Sequence, residues 1–318
     1  MTVSADHCVV AIAQIAPVWL DRTATLAKIA GRTVEAGRLG ARLVAFGEGV
    51  LPGYPFWVEH TDGARFDSPL QKSLFAHYSD QAVDIAGGDL APVILAAREA
   101  GIWVVLGCIE RDRTRGQSVF AALVTIDDRG DIRNVHRKLM PTYEERLVWS
   151  PGDGAGLRTF ALDRFRLGGL NCWENWMPLA RAALYAQGED LHVAAWPGSA
   201  RNTEAITPFI AREGRSFVLS ASSLLRREDI PRHAPHADLL RESLPALCAN
   251  GGSCIAGPDG EWIIPPRVDE EVLLIAELDH ARIREERQNF DPFGHYSRPD
   301  VFELAVDRRR LSGAHFTD

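Results

Sequence analysis

Short apolar runs alternate with longer amphipathic stretches along the whole chain. Runs at 9–15 and 43–46 read as strands, with a helix over 22–39 between them. A helix over 90–100 leads to a strand at 103–109. Segments 119–126 and 131–136 read as two strands joined by the turn Asp127-Asp128-Arg129-Gly130. The second half repeats the style. A strand at 165–171 enters a sharp turn, and a helix over 178–187 has Gly188 as its C-cap. A strand at 193–196, a helix over 204–215 and a strand at 217–222 come next. Segments 253–256 and 261–264 flank the hairpin signal Gly257-Pro258-Asp259-Gly260, before a strand at 272–278 and a last helix from 281 to 287. The polar stretch 226–241, with Pro231 and Pro235, reads as the longest loop.

This order mixes β-β steps among β-α steps. It predicts an α/β fold with a mixed sheet, or two sheets, covered by helices. No Pro/Gly/Ser-rich linker divides the chain, so 1–318 reads as one domain.

Composition narrows the function classes. With 318 residues, 46% of them hydrophobic and 25% charged, the chain is ordinary globular material able to bury a sizeable core. The net charge of −8 gives no reason to expect nucleic acid as a partner. The one basic cluster, Arg308-Arg309-Arg310, reads as a solvated stretch near the C-terminus. Residues 1–8 lack the basic and long apolar regions of a signal peptide. No apolar run approaches the roughly 20 residues that span a bilayer, so no membrane partner is expected. The five cysteines, Cys8, Cys108, Cys172, Cys248 and Cys254, form no CxxC pair. Reduced thiols in a cytoplasmic protein are the simplest reading.

Candidate chemistry sits in three places where a strand ends and a rigid sheet can hold a reactive group toward a ligand. Leu43-Val44-Ala45-Phe46-Gly47-Glu48-Gly49 brings an apolar run to a carboxylate between two glycines, and Pro52-Gly53-Tyr54-Pro55 then forces a tight, rigid loop. Partial burial would raise the pKa of Glu48 and make it a general base; a salt-bridged or helix-capping glutamate is the alternative. Val135-His136-Arg137-Lys138 places three basic side chains after a strand, with Glu144-Glu145-Arg146 close behind. Lys138 can aim a cation at developing negative charge; a solvated basic edge is the alternative. Leu167-Gly168-Gly169-Leu170-Asn171-Cys172-Trp173-Glu174 delivers a thiol to a strand-to-helix turn, where a helix dipole favours thiolate. The other four cysteines lie inside or beside apolar strands and read as structural. No histidine has an evident relation to Cys172, His233 and His236 are split by a proline, and no HExxH occurs, so no metal site is indicated.

Taken together, these segments resemble the nitrilase superfamily of carbon–nitrogen hydrolases. The resemblance runs from Val10-Ala11-Ile12-Ala13-Gln14 through Pro52-Gly53-Tyr54-Pro55 to Gly294-His295-Tyr296-Ser297-Arg298-Pro299-Asp300-Val301. The family's Glu–Lys–Cys triad maps onto Glu48, Lys138 and Cys172, and its second glutamate onto Glu145. His136-Arg137-Lys138-Leu139-Met140-Pro141-Thr142 and Asn171-Cys172-Trp173-Glu174-Asn175 are similar to the motifs of the true nitrilase branch. In the family, proline commonly precedes the first glutamate and a small residue such as alanine comes after it; here Gly47 and Gly49 flank Glu48 and loosen the backbone.

The resemblance implies a four-layer α-β-β-α sandwich with two mixed β-sheets. It also implies hydrolysis of a small-molecule nitrile to acid and ammonia without metal or organic cofactor, and homo-oligomers (dimers or spirals of dimers) with 298–318 serving assembly. Tyr54, Trp57, Trp173 and Trp196 are candidate walls for an apolar or aromatic substrate, with Trp57 and Trp196 alternatively core or interface residues. An amidase or carbamoylase would use the same triad; a non-catalytic filament-forming or partner-binding member would have lost part of it. A papain-like protease fits poorly, since Cys172 is mid-chain.

Overall fold

The computed structural model describes residues 6–312 and 314. It opens with β1 (His7–Gln14), α1 (Arg22–Arg38) and β2 (Leu43–Ala45). The single-turn α2 (Trp57–His60), α3 (Pro69–Gln81) and α4 (Ala91–Ala100) lead to β3 (Trp103–Arg111), β4 (Val119–Ile126) and β5 (Ile132–Arg137). Then come β6 (Phe160–Leu162), β7 (Phe165–Asn171), α5 (Pro178–Tyr185), β8 (Leu191–Trp196), α6 (Ala200–Thr203), α7 (Ile206–Gly214) and β9 (Phe217–Ser222). The last elements are β10 (Leu224–Arg226), α8 (Ala237–Ser243), β11 (Leu247–Ala256), β12 (Trp262–Val268), β13 (Val272–Asp279) and α9 (Ala281–Arg287).

The strands make two mixed sheets. One has the order β13-β1-β2-β3-β4-β5, and the other β10-β11-β9-β8-β7-β6 with β12 added against β11. In each, three adjacent strands run parallel: β1, β2 and β3 in the first, β7, β8 and β9 in the second. Parallel neighbours need a crossover, and helices supply it. Alternation along each strand then sorts the side chains. Val10, Ile12, Leu43, Ala45 and Val105 face Leu167, Val193, Ala195 and Leu219 of the other sheet. Ala11, Val44, Val104 and Leu106 on the opposite face pack with Leu26 and Ile29 of α1 and Val93 of α4. Ala194 and Val218 pack outward against Ile206 and Ile210 of α7, and Leu170 against Leu184 of α5. The layers are therefore α-β-β-α.

Local chemistry sets the boundaries. Asp21 caps α1, accepting from the Ala24 N–H at 2.9 Å. The turn after β4 is held by Asp127 Oδ1, which accepts from the N–H groups of Arg129 and Asp131. Segment 226–241 is not one long loop, because its end winds into α8. In the basic run Arg309 is solvated as expected, but Arg310 is tied to the fold. Arg309 pairs with Asp307 at 2.6 Å, and Arg310 donates to Asp153 Oδ1 at 3.0 Å and to the Val135 carbonyl at 2.7 Å. This straps the C-terminal segment across the outer end of β5. Of the tail expected at 298–318, residues 313 and 315–318 lie outside the described residues. Among the described residues no helix is long and apolar enough to cross a membrane.

Candidate active site

The loop after β2 is built by close backbone approach. The Glu48 N–H donates to the Trp196 carbonyl at the end of β8 at 3.0 Å, tying one sheet to the other. A Cβ on Gly47 would stand 2.5 Å from Ser223 Oγ and 2.7 Å from the Trp196 oxygen. The flanking glycines therefore do not loosen this backbone. Gly47 lets it pack tightly, and Gly49 takes a left-handed conformation at φ +57°. Gly107 of β3 completes the fit, since a Cβ there would lie 2.6 Å from Glu48 Cα.

Lys138 leaves β5 with its N–H on the Ala121 carbonyl (2.8 Å) and its own carbonyl on the Gly152 N–H (2.7 Å). The run His136-Arg137-Lys138 is no solvated edge, because all three side chains are buried. Lys138 Nζ is 2.9 Å from Glu48 Oε1 and donates to Glu145 Oε2 at 2.6 Å. Glu145 is held on both oxygens. Tyr54 Oη donates to Oε1 at 2.8 Å, and the Thr142 N–H to Oε2 at 2.6 Å. Apart from this Lys138 contact, neither oxygen of Glu48 has a hydrogen-bond partner among the described residues.

Cys172 begins a single tight turn, Cys172–Trp176, at the end of β7. Its φ of +48° is a strained conformation for a residue with a Cβ. Neighbours hold it there. Asn175 Nδ2 donates to the carbonyls of Leu170 (3.2 Å) and Cys172 (2.9 Å), while His192 bridges Asn175 Oδ1 (2.7 Å) and Glu189 (2.9 Å). Ligand-type atoms of Glu48, Glu145 and Cys172 lie within 4.8 Å of one another. The Lys138 ammonium touches both carboxylates, so the positive charge that such a cluster calls for is already in place.

Burial and charge set the protonation states. Burial, with Glu145 adding to it and Lys138 opposing, pushes the Glu48 carboxyl up to about 8. Burial works against the Lys138 ammonium, but Cys172, Glu48 and Glu145 outweigh it and hold its pKa above the usual lysine range. The thiol differs from its sequence reading. Burial, with Glu48 and Glu145 adding to it, raises Cys172 well above an ordinary cysteine, and Lys138 only partly opposes this. One short turn does not make the resting thiolate expected from a helix dipole; the thiol needs a base.

Glu48, Lys138, Glu145, Cys172 and Tyr54 thus converge. Trp57 and Trp196 do not line the site. Trp57 is enclosed by Trp19 and Tyr78, and the Trp196 ring is buried against α7 with Nε1 donating to Ser220 Oγ. Trp196 serves instead through its carbonyl. Trp173 is half exposed, its ring 6.1 Å from that of Trp176. Sequence reasoning missed His136, Glu174, Asn175 and Gly107. The first three stood inside the family-like motifs, but only their burial shows them as partners of the backbone around the site.

The chain matches the carbon-nitrogen hydrolase family over residues 9–288. It belongs to that family. Curated relatives place this hydrolase in the nitrilase branch. It is 40% identical to a "Nitrilase 2" of an unknown prokaryotic organism over 308 residues, covering 96% of this chain and 95% of that one. It is 36% identical to an aliphatic nitrilase of Sinorhizobium fredii, covering 95% and 96%. It is 34% identical to a bifunctional nitrilase/nitrile hydratase of Nicotiana tabacum, covering 96% and 88%. Among solved structures, a carbon-nitrogen hydrolase of Helicobacter pylori shares the fold with a TM-score of 0.69 at 20% identity, covering 93% of this chain and 97% of that one. The C. elegans NitFhit protein does so with 0.70 at 16%, covering 98% and 70%. As a family member, the chain is a hydrolase acting on carbon–nitrogen bonds.

Proposed function

We propose that this hydrolase converts a small organic nitrile to a carboxylic acid and ammonia, with Cys172 as nucleophile, Glu48 as base, Lys138 as stabilising cation and Glu145 as the residue that holds Lys138. The observation that carries the reading is a neutral buried thiol beside a carboxylate with open lone pairs, both facing one ammonium. Glu48 takes the thiol proton as sulfur adds to the nitrile carbon, and that proton passes to the nitrile nitrogen to give a covalent thioimidate. Water, deprotonated by Glu48, adds to the same carbon. Lys138 stabilises the charge that develops. Glu48 passes the water proton to the nitrogen and then carries the intermediate's hydroxyl proton to it as well, so that ammonia leaves and a thioester remains. A second water releases the acid and restores the thiol.

Tyr54, bonded to Glu145, and the half-exposed Trp173 beside Cys172 are the candidate substrate walls. Nitrilase names on relatives at 34–40% identity favour a nitrile. An amidase using the same residues is the second reading; the Nicotiana relative, named both a nitrilase and a nitrile hydratase, points to amide only as a further product from a nitrile. Four buried cysteines outside any disulfide fit a reducing cytoplasm. The chain works as one catalytic domain that assembles with copies of itself, its C-terminal segment contributing to the contact.

The test is ammonia release from aliphatic, aryl and arylaceto-nitriles, each paired with its amide, by the wild type and by Cys172→Ala. Ammonia from nitriles that disappears in the variant supports the reading. Ammonia from amides alone moves the protein to the amidase reading, and silence from a folded wild type overturns both.

A further inference from the structure

Glu174 is fully buried two residues beyond the nucleophile; one of its bonds caps its own turn, and the others reach outside it. Oε2 accepts from the Asn171 N–H at 2.9 Å, and Oε1 accepts from the Leu139 N–H at 2.6 Å. Asn171 immediately precedes Cys172, and Leu139 comes immediately after Lys138. One carboxylate therefore joins the residue beside the thiol to the residue beside the ammonium. The two come from different sheets, β7 and β5. His136, from β5 itself, puts Nε2 at 3.1 Å from both oxygens, while its Nδ1 has no partner among the described residues. The imidazole is thus devoted to Glu174.

Stability alone does not explain an ionic group here. A buried ion pair roughly breaks even with apolar side chains of the same volume. What the pair does that apolar residues cannot is accept two backbone N–H bonds at once. It also bears on a strained residue, since the φ of +48° at Cys172 persists only where its surroundings fix it.

We propose that Glu174, backed by His136, is a positioning residue that sets the distance and orientation of Cys172 relative to Lys138. The proposal rests on the roles given to Cys172 and Lys138 under the proposed function. Glu174 meets no reacting atom; it acts through the N–H groups of Asn171 and Leu139.

In Glu174→Gln the shape is kept, but an amide NH2 faces one of the two N–H groups and that bond is lost. Four quantities are to be measured: kcat and KM on the best nitrile or amide, the rate of Cys172 alkylation by iodoacetamide, tracked by peptide mass, and Tm. Misplacing reacting groups by about 1 Å costs on the order of 10²-fold. The expectation is a fall of that order in kcat and a marked slowing of alkylation, with KM little changed and Tm within a few degrees of wild type. His136→Gln should show the same pattern more weakly. The double variant should be no worse than Glu174→Gln, because the groups act as one unit. Unchanged alkylation and kcat in folded Glu174→Gln, losses that simply track Tm, or effects of the two substitutions that multiply, each overturn the proposal. Should Glu174→Gln not fold, His136→Gln decides: slowed alkylation with native Tm supports the clamp, and wild-type alkylation overturns it. Alkylation needs no nitrile turnover. A wild type that hydrolyses nothing would therefore sink the functional reading while the clamp is still tested.

Discussion

Two carboxylates and one ammonium are buried side by side, so one negative charge is left over. Glu145 is the better placed to keep it. It accepts from Lys138, Tyr54 and the Thr142 backbone, whereas Glu48 has only the Lys138 ammonium beside it. The surplus therefore falls on Glu48, whose carboxyl rises from 4.5 to about 8. A folded-state pKa above the unfolded one means that the stability contributed by Glu48 is full below the unfolded value, and is lost as pH rises through the folded value. The sign leads to two outcomes. Wild-type kcat/KM climbs from neutral pH toward a limb near 8, where Glu48 becomes carboxylate. Glu48→Gln, neutral at every pH, removes turnover, and its Tm advantage over wild type is larger at about pH 9 than at about pH 5. Thermal unfolding across that range checks it, and a Tm difference that does not vary with pH would sink the charge argument. A reactive group kept in a state that costs stability is the usual trade at a functional site.

At the scale of elements, the end of β5 shows what could be read beforehand and what could not. Strands at 119–126, 165–171 and 217–222 and the helix at 281–287 coincide with their apolar patterns because those patterns face a core. The positions of Glu48, Lys138 and Cys172 after strands were legible for the same reason. The state of His136-Arg137-Lys138 was not. Three consecutive basic side chains look solvated until distant carboxylates arrive: Glu174 for the first, Glu110 and Asp112 for the second, Glu48 and Glu145 for the third. Helix α3 also escaped, since it buries little beyond Leu74, Tyr78 and Ser79. Strand β12 was expected only as far as Ile264, because Pro265-Pro266 hides its second half; only a strand with one neighbour tolerates them. Arg137 sits bidentate on Glu110 (2.6 and 2.8 Å) and 4.2 Å over the Phe120 ring. Arg137→Ala leaves Glu110 uncompensated and should cost about 3–5 kcal/mol. Urea unfolding measures this, and a loss under about 1 kcal/mol would mean that the pair is well solvated. Gly107→Ala drives a methyl group to 2.1 Å from the Gly47 oxygen. It should lower kcat by displacing Glu48 while leaving the far end of β3 intact, and a wild-type kcat in that variant would show that the loop yields freely.

For the whole molecule, the turn that bears Cys172 runs on into α5, which presents an exposed apolar surface. Leu179 on α5 is 70% exposed, and Phe302 from the C-terminal segment is 77% exposed. Between them lies an apolar groove of about 500 Å³ that Phe293, Tyr296 and Leu304 also line. Clustered exposure of this kind marks a surface that another body covers. A second copy of the chain is the occupant that agrees with the proposed assembly. The same helix reaches inward: Arg181 donates to the Asn175 carbonyl at 2.8 Å, and Asn175 holds the Cys172 turn. Covering α5 would then restrain the nucleophile as well as hide the groove. Leu179→Asp places a charge that cannot be buried there without a large cost. It should shift the sedimenting species to a smaller mass and lower kcat at the same time, with the monomer's far-ultraviolet circular dichroism unchanged. A smaller species at full activity would separate assembly from catalysis, and an unchanged mass would show that this face is not where the copies meet.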